Sequence, residues 1–259
     1  MNKNLVVIAN RMTRLFGNIF KILAYPIHFF FPKLRFTIPV YSKAKITDSR
    51  SPIIPRIIWQ TNYSNKVTFP VYANYLFNRL MSLSFDYRYV STEEREVYIQ
   101  QNTSVKNYQA FMKLRDGAAQ ADFWRMVVLN KEGGIYMDID ATLFWPLKKT
   151  LDNADDALYV SLAKNNDFTN FFLATAPNNP VYEDVIERIV SNIDARKTDD
   201  GVYFLTGPGV LTKALEGKYI TSLDRKYVCI QGAFTNEHFQ YLDKPRGKWT
   251  HKKPEDLLH

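Results

Sequence analysis

Apolar positions along the chain follow two spacings. Within Ile53–Gln60, Asp86–Val90 and Ile135–Leu143 they are short and dense or alternate with polar ones, which predicts strands. Across Tyr72–Ser82, Thr92–Gln101, Ala118–Lys131, Pro180–Asn192 and Gly209–Leu215 they recur every three or four residues, which predicts helices. Ala110–Leu114 predicts a helical turn. Tyr159–Leu162, Phe171–Ala174 and the region of Lys226–Ile230 predict further strands. Local signals agree with these bounds. Glu93, Glu94 and Glu96 sit near a helix start, where the dipole favours them, and Gly133-Gly134 follows the last turn of another. Strands alternating with helices predict an α/β fold, with chemistry at the C-terminal ends of strands.

The N-terminal segment has a different pattern. Met1–Lys45 contains no acidic residue. Arg11, Arg14, Asn18, Lys21, Tyr25 and His28 recur at intervals of three and four and form one polar stripe on a helix, while Leu15, Phe16, Ile19, Phe20, Ile22, Leu23 and Ile27 fill the remainder. Pro26 is expected to kink or end that helix. The uncharged stretch Ile22–Pro32 is much shorter than the ~20 residues of a spanning helix. A basic stripe beside Phe and Leu predicts a helix lying on an anionic membrane surface; the alternative is packing on the protein's own core or against a second copy. Residues 1–48 are thus expected to form a membrane-proximal or packing segment and 49–259 a catalytic domain, with Ser49–Pro55 as the linker.

Composition narrows the classes. The chain has 259 residues, 46% of them hydrophobic, which excludes disorder as the main state. Cys229 is the one cysteine, so neither an intrachain disulfide nor a cysteine-based zinc site can form; a reducing compartment is expected. The net charge of +8 allows nucleic acid, anionic lipid or a phosphorylated small molecule as partner. No zinc-finger spacing or single-strand-binding module supports nucleic acid. No Walker lysine loop or paired kinase motif supports a phosphotransferase. A non-catalytic scaffold would leave the next feature unexplained.

That feature runs from Asp122 to Asp140. On the predicted strand Ile135–Leu143, Tyr136, Asp138 and Asp140 point to one side. Two carboxylates on one face repel unless they are solvated or share a cation; a hard divalent ion bound through oxygen is the economical explanation, and it could hold a diphosphate as well. In the preceding helix Asp122 and Arg125 are three residues apart on one face, where Asp122 can accept from sugar hydroxyls and Arg125 can donate to a hydroxyl or phosphate oxygen.

The stretches Ala121-Asp122-Phe123-Trp124-Arg125 and Lys131-Glu132-Gly133-Gly134-Ile135-Tyr136-Met137-Asp138-Ile139-Asp140 resemble the sugar-binding region of DXD-motif retaining glycosyltransferases (family 32-like). That superfamily includes yeast α-mannosyltransferases, the glucosyltransferase domains of large clostridial toxins and vertebrate α-1,4-galactosyltransferases. Ile54-Pro55-Arg56-Ile57-Ile58-Trp59-Gln60-Thr61 resembles its first strand and Thr206-Gly207-Pro208-Gly209-Val210-Leu211-Thr212 a third block, so the likeness spans about Pro52–Trp249. It implies a GT-A fold, a mixed central sheet flanked by helices, with Mn²⁺ or Mg²⁺ as cofactor and a UDP- or GDP-hexose as donor. Trp59, beside Gln60, is then expected near the base, Asp122 and Arg125 on the donor sugar, Asp138 on ribose or sugar, and Asp140 on the metal. Thr206 and Gly207 would lie near phosphate or acceptor. Trp249 matches the family's C-terminal tryptophan, with Lys248 where serine is usual, and His238 and His251 both qualify as a third metal ligand. Lys244, Arg246, Lys248, Lys252 and Lys253 form a basic tail suited to covering a diphosphate. The implied partners are a nucleotide sugar and a glycan or lipid-linked glycan acceptor, as in lipopolysaccharide or other surface polysaccharide synthesis, with no nucleic acid. The expected location is peripheral, on the cytoplasmic face of a membrane.

Overall fold

The computed structural model describes residues 2–47, 52–152, 154–162, 167–245 and 247–259. Residues 49–51 of the expected linker, and Arg246 of the basic tail, lie outside the described residues. The elements in chain order are α1 (Lys3–Phe30), β1 (Phe36–Thr37), β2 (Tyr41–Ser42), β3 (Ile57–Thr61), β4 (Lys66–Val67), α2 (Phe69–Met81), β5 (Asp86–Val90), α3 (Thr92–Asn102), α4 (Val105–Lys113) and α5 (Gly117–Glu132). There follow β6 (Gly134–Met137), β7 (Ala141–Leu143), α6 (Leu147–Leu151), β8 (Ala157–Ser161), β9 (Phe168–Thr175), α7 (Pro180–Asp194), α8 (Gly201–Leu205), α9 (Pro208–Leu215), β10 (Ser222–Asp224), β11 (Cys229–Gln231) and α10 (Glu237–Gln240).

Seven strands form a mixed sheet in the order β10-β8-β9-β6-β3-β5-β2, the α/β fold expected from the sequence. The central β3 is parallel to both β5 and β6, and β9 runs antiparallel between β6 and β8. Alternation along the strands sends side chains into two cores. Trp59 and Tyr136 pack with α4, α5, α7 and α9 on one face, whereas Ile58, Ile135 and Met137 pack with α2 and β7 on the other.

The passage from α5 to β6 sets the site. Asp116 caps the start of α5 by accepting from the backbone N–H of Ala118 and Ala119. Gly133 ends the helix at φ +65°, and a Cβ there would lie 2.8 Å from Pro177 N. Only glycine meets both demands, so α5 turns straight into β6 and its cavity-facing side stands next to the strand's end.

One expectation needs correction and another is narrowed. Ile135–Leu143 is not one strand. Pairing stops at Met137, and Asp138–Asp140 form a turn closed by the Ala141 N–H on the Asp138 carbonyl at 3.0 Å. Helix α1 also runs through Pro26, so of the two outcomes expected there, a kink or an end, ending is excluded. It docks by its small and polar face, burying Val6, Asn10, Thr13, Gly17, Ala24 and His28. Gly17 is needed because a Cβ would collide with the Ala233 carbonyl. Asn10 donates to the Lys226 carbonyl at 3.1 Å and Lys21 to the Gly232 carbonyl at 3.0 Å. His28 of the polar stripe is buried and accepts from the Phe69 N–H at 3.1 Å.

Candidate active site

A cavity of about 890 Å³ opens at the C-terminal ends of β3 and β6. Asp122 and Arg125 from α5 line it, each only 5% exposed. Arg125 Nη2 lies 3.0 Å from Asp122 Oδ1, its Nη1 lies 3.3 Å from Asp138 Oδ1, and the same nitrogen donates to the Asn170 carbonyl at 2.7 Å. The guanidinium also sits 4.2 Å above the Tyr136 ring. A guanidinium removed from water in this way is stable only because two carboxylates and a carbonyl surround it. Asp122 is held from its other sides by the Asn170 amide at 2.9 Å and the Thr206 hydroxyl at 3.1 Å. Burial pushes its carboxyl up to about 6, against the opposing pull of Arg125.

The turn places Asp138 and Asp140 side by side on the cavity wall. Tyr136 donates its hydroxyl to Asp138 Oδ1 at 2.8 Å. Gln231 Nε2 lies 3.2 Å from Asp138 Oδ2 and 3.3 Å from Asp140 Oδ1. Burial, and then the neighbouring Asp138, hold the Asp140 carboxyl well above the usual carboxylate range. A second charge of the same sign close by has that effect, and a cation would oppose it.

The other expected residues divide. Lys248 and Trp249 line the cavity, with Lys248 paired to Glu237 at 2.8 Å. Trp59 does not reach the lining. It is 8% exposed, packs in the α5-side core, and its indole N–H donates to the Gly133 carbonyl at 3.0 Å, so base stacking is corrected to support of the Gly-Gly turn. Gln60 is buried and donates to the Asp138 carbonyl at 3.0 Å, which fixes the turn from behind. Thr206 likewise stands behind Asp122, and at Gly207 the lining passes instead through Pro208. The two histidines are not brought to the aspartates. His238 stacks on Tyr25 with ring centroids 6.1 Å apart, and His251 Nε2 lies 2.7 Å from Glu237 Oε1. Among the described residues no group of three or more His, Cys, Asp and Glu side chains comes together. Asn170 and Gln231 had no local signal in the sequence. Both reach the site by strand pairing, Gln231 through its register with Ala141 of β7 and Asn170 through β9 beside β6.

Residues 70–190 match the family described as "Glycosyltransferase sugar-binding region containing DXD motif". The chain is 26% identical over 223 residues to the "Initiation-specific alpha-1,6-mannosyltransferase" of Schizosaccharomyces pombe, a match covering 74% of this chain and 53% of that protein. It is 32% identical over 126 residues to "Toxin Afp18" of Yersinia ruckeri, covering 45% of this chain and 6% of the toxin. The chain therefore spans about half the length of the first of these relatives and a small part of the second. The solved "PaToxG Glycosyltransferase" shares the fold with a TM-score of 0.50 and 17% identity, over 80% of this chain and 79% of that one.

Proposed function

We propose that this chain is a DXD-motif glycosyltransferase of the GT-A type that moves a hexose from UDP or GDP to a hydroxyl of a glycan acceptor, retaining the anomeric configuration; its likeness to the DXD sugar-binding family over residues 70–190, to the mannosyltransferase and the toxin, and to the fold of the solved glycosyltransferase supports the reading. The observation that carries the reading is the buried chain of contacts Asp122–Arg125–Asp138, which ties a sugar-binding pair to the aspartate turn on one wall of the cavity. Asp122 keeps lone pairs for sugar hydroxyls, and Arg125 fixes its orientation. Tyr136 and Arg125 hold Asp138 on one oxygen, so its other oxygen and Asp140 face the same space. An all-oxygen pair of this kind suits Mn²⁺ or Mg²⁺ rather than a softer ion. Such a cation, when bound, supplies positive charge to the donor diphosphate as it leaves. Lys248 and Trp249 bring the tail to the cavity lining, where they can cover the diphosphate and exclude water.

Retention rests on the family likeness, and same-face attack with the leaving phosphate taking the acceptor proton is the route that needs no protein nucleophile. Proton NMR of the first-formed product tests it. An α-linked donor should give an α-linked product, and a β-linked first product would overturn retention.

The acceptor reading concerns α1. Among the described residues no helix is long and apolar enough to cross a membrane. With its small and polar face docked, α1 turns Ile8, Met12, Leu15, Ile19 and Ile22 to solvent, Ile22 being 68% exposed, and Phe29, Phe30 and Phe31 continue that surface. Arg11 and Arg14 border it. An apolar face with a basic edge fits the headgroup boundary of an anionic leaflet, which supports a peripheral enzyme on the cytoplasmic face acting on a lipid-linked glycan, as in surface polysaccharide synthesis. Sedimentation with phosphatidylglycerol-containing liposomes should pellet the full chain. Replacing Ile8, Leu15 and Ile22 together with Ser removes about 1 kcal/mol of apolar burial at each half-exposed position, so partitioning should fall by ~10²-fold. Full-length protein staying in the supernatant at low salt would defeat the membrane reading.

A further inference from the structure

The two aspartates of the turn share a neighbour that no sequence motif marks. Gln231 ends β11, where it is paired with Ala141 at the start of β7, and the next N–H, of Gly232, donates to the Asp140 carbonyl at 3.1 Å. The backbone therefore locks Gln231 to the same turn that carries Asp138 and Asp140. Its carboxamide bridges the two carboxylates, at 3.2 Å from Asp138 Oδ2 and 3.3 Å from Asp140 Oδ1. Asp138 has already committed its other oxygen inward, to the Tyr136 hydroxyl and Arg125.

Resting on the metal-dependent reading above, we infer that Gln231 is a third protein ligand of the divalent cation, turning its carboxamide over so that Oε1 takes the place of Nε2 when the ion enters. A carboxamide has two donors at one end and an acceptor at the other, and its terminal torsion is broad and roughly two-fold. With no cation present, the NH₂ end is the end that two neighbouring carboxylates can accept from. With a cation between them, that end would aim hydrogens at positive charge, and the oxygen end is the one that fits. The spacing agrees. Oxygen ligands on adjacent corners of an octahedron with bonds of roughly 2.1 Å lie about 3 Å apart, close to the two separations Gln231 already holds. The side chain is exposed on the cavity wall and has room to turn. The assignment also answers a shortage: neither His238 nor His251 stands with the aspartates, and among the described residues no third acidic, cysteine or histidine side chain joins them. The resulting set is oxygen throughout, which favours Mn²⁺ and Mg²⁺ over Zn²⁺.

The test is titration of the full-length protein with Mn²⁺ alone, following the free aqueous Mn²⁺ signal by electron paramagnetic resonance, with melting curves confirming that each variant is folded. Gln231→Ala should weaken Mn²⁺ binding by about 10-fold or more, the scale on which groups around a metal act. Gln231→Glu, which always presents an oxygen, should bind at least as tightly as the wild type. Asp140→Asn should bind most weakly of all. Wild-type affinity in Gln231→Ala, with binding lost in Asp140→Asn, would overturn the Gln231 assignment and leave the metal site standing. Gln231→Glu binding no better than Gln231→Ala would overturn it as well. Equal affinity in the wild type and Asp140→Asn would overturn the metal site itself.

Discussion

Asp140→Asn should lower kcat for hexose transfer by at least ~10²-fold while the metal-free protein melts no lower than the wild type. The size of the first effect is that of losing a group that organises charge in the transition state. The second follows from the turn. Burial and the adjacent Asp138 hold the Asp140 carboxyl well above its unfolded value. A carboxyl raised on folding opposes the folded state increasingly as pH climbs from about 4 through its folded pKa, because the unfolded chain releases the proton more readily. An amide of the same shape removes that opposition and still accepts from Gln231. At pH 8 the melting midpoint of Asp140→Asn should therefore equal or exceed that of the wild type. Differential scanning calorimetry beside an initial-rate assay separates the two effects. A variant that loses activity only because it unfolds would contradict this account of the turn.

Arg125→Met should do the reverse, harming the fold and the activity together. Arg125 is enclosed by Asp122, Asp138, the Asn170 carbonyl and the face of Tyr136. Methionine fills much of the volume but leaves the buried Asp122, and Asp138 on the cavity wall, without their cation. Breaking a buried pair from one side costs about 3–5 kcal/mol, which for a chain of this size lowers the midpoint by roughly 10 °C. Adding Asp122→Asn to Arg125→Met should recover part of that loss, since one of the stranded charges is gone, without recovering activity. If the double variant melts lower than Arg125→Met alone, the Asp122–Arg125 contact is not the source of the cost.

The block from α5 to the aspartate turn was legible because its signals are local: a helical spacing, two glycines where the chain must take positive φ, and two aspartates one residue apart. What lay beyond local reach was misread in instructive ways. Ile139 continues the alternation begun by Ile135 and Met137, and it is buried, yet it does so from the turn and not from a strand, so periodicity alone extended β6 too far. Trp59 has the residue type and the strand-end position of a stacking group. Its side of β3, however, faces α5, and its partner is a carbonyl 74 positions later in the chain. The supports Gln60, Thr206 and Asn170 also act through contacts remote in sequence. In α1 the pattern predicts the helix but not which side docks. Close approach favours Gly17, Ala24, Thr13 and Asn10, so that face is buried, with Phe20 packed beside it on Phe69 and Phe234, while Ile8, Met12, Leu15, Ile19 and Ile22 are left outside, although the hydrophobic effect acting on the segment alone would turn them inward.

On the proposed reading, this cavity holds a nucleoside diphosphohexose through the aspartate turn and the Asp122–Arg125 pair. Thermal unfolding in Mn²⁺ against a panel of UDP- and GDP-hexoses tests it most directly, since a ligand at ~100 times its Kd stabilises the native state by about 2.7 kcal/mol. At least one donor should raise the wild-type midpoint by roughly 5–10 °C and leave Asp140→Asn nearly unmoved. No shift with any UDP- or GDP-sugar, or the same shift in both proteins, would contradict binding through the aspartate turn.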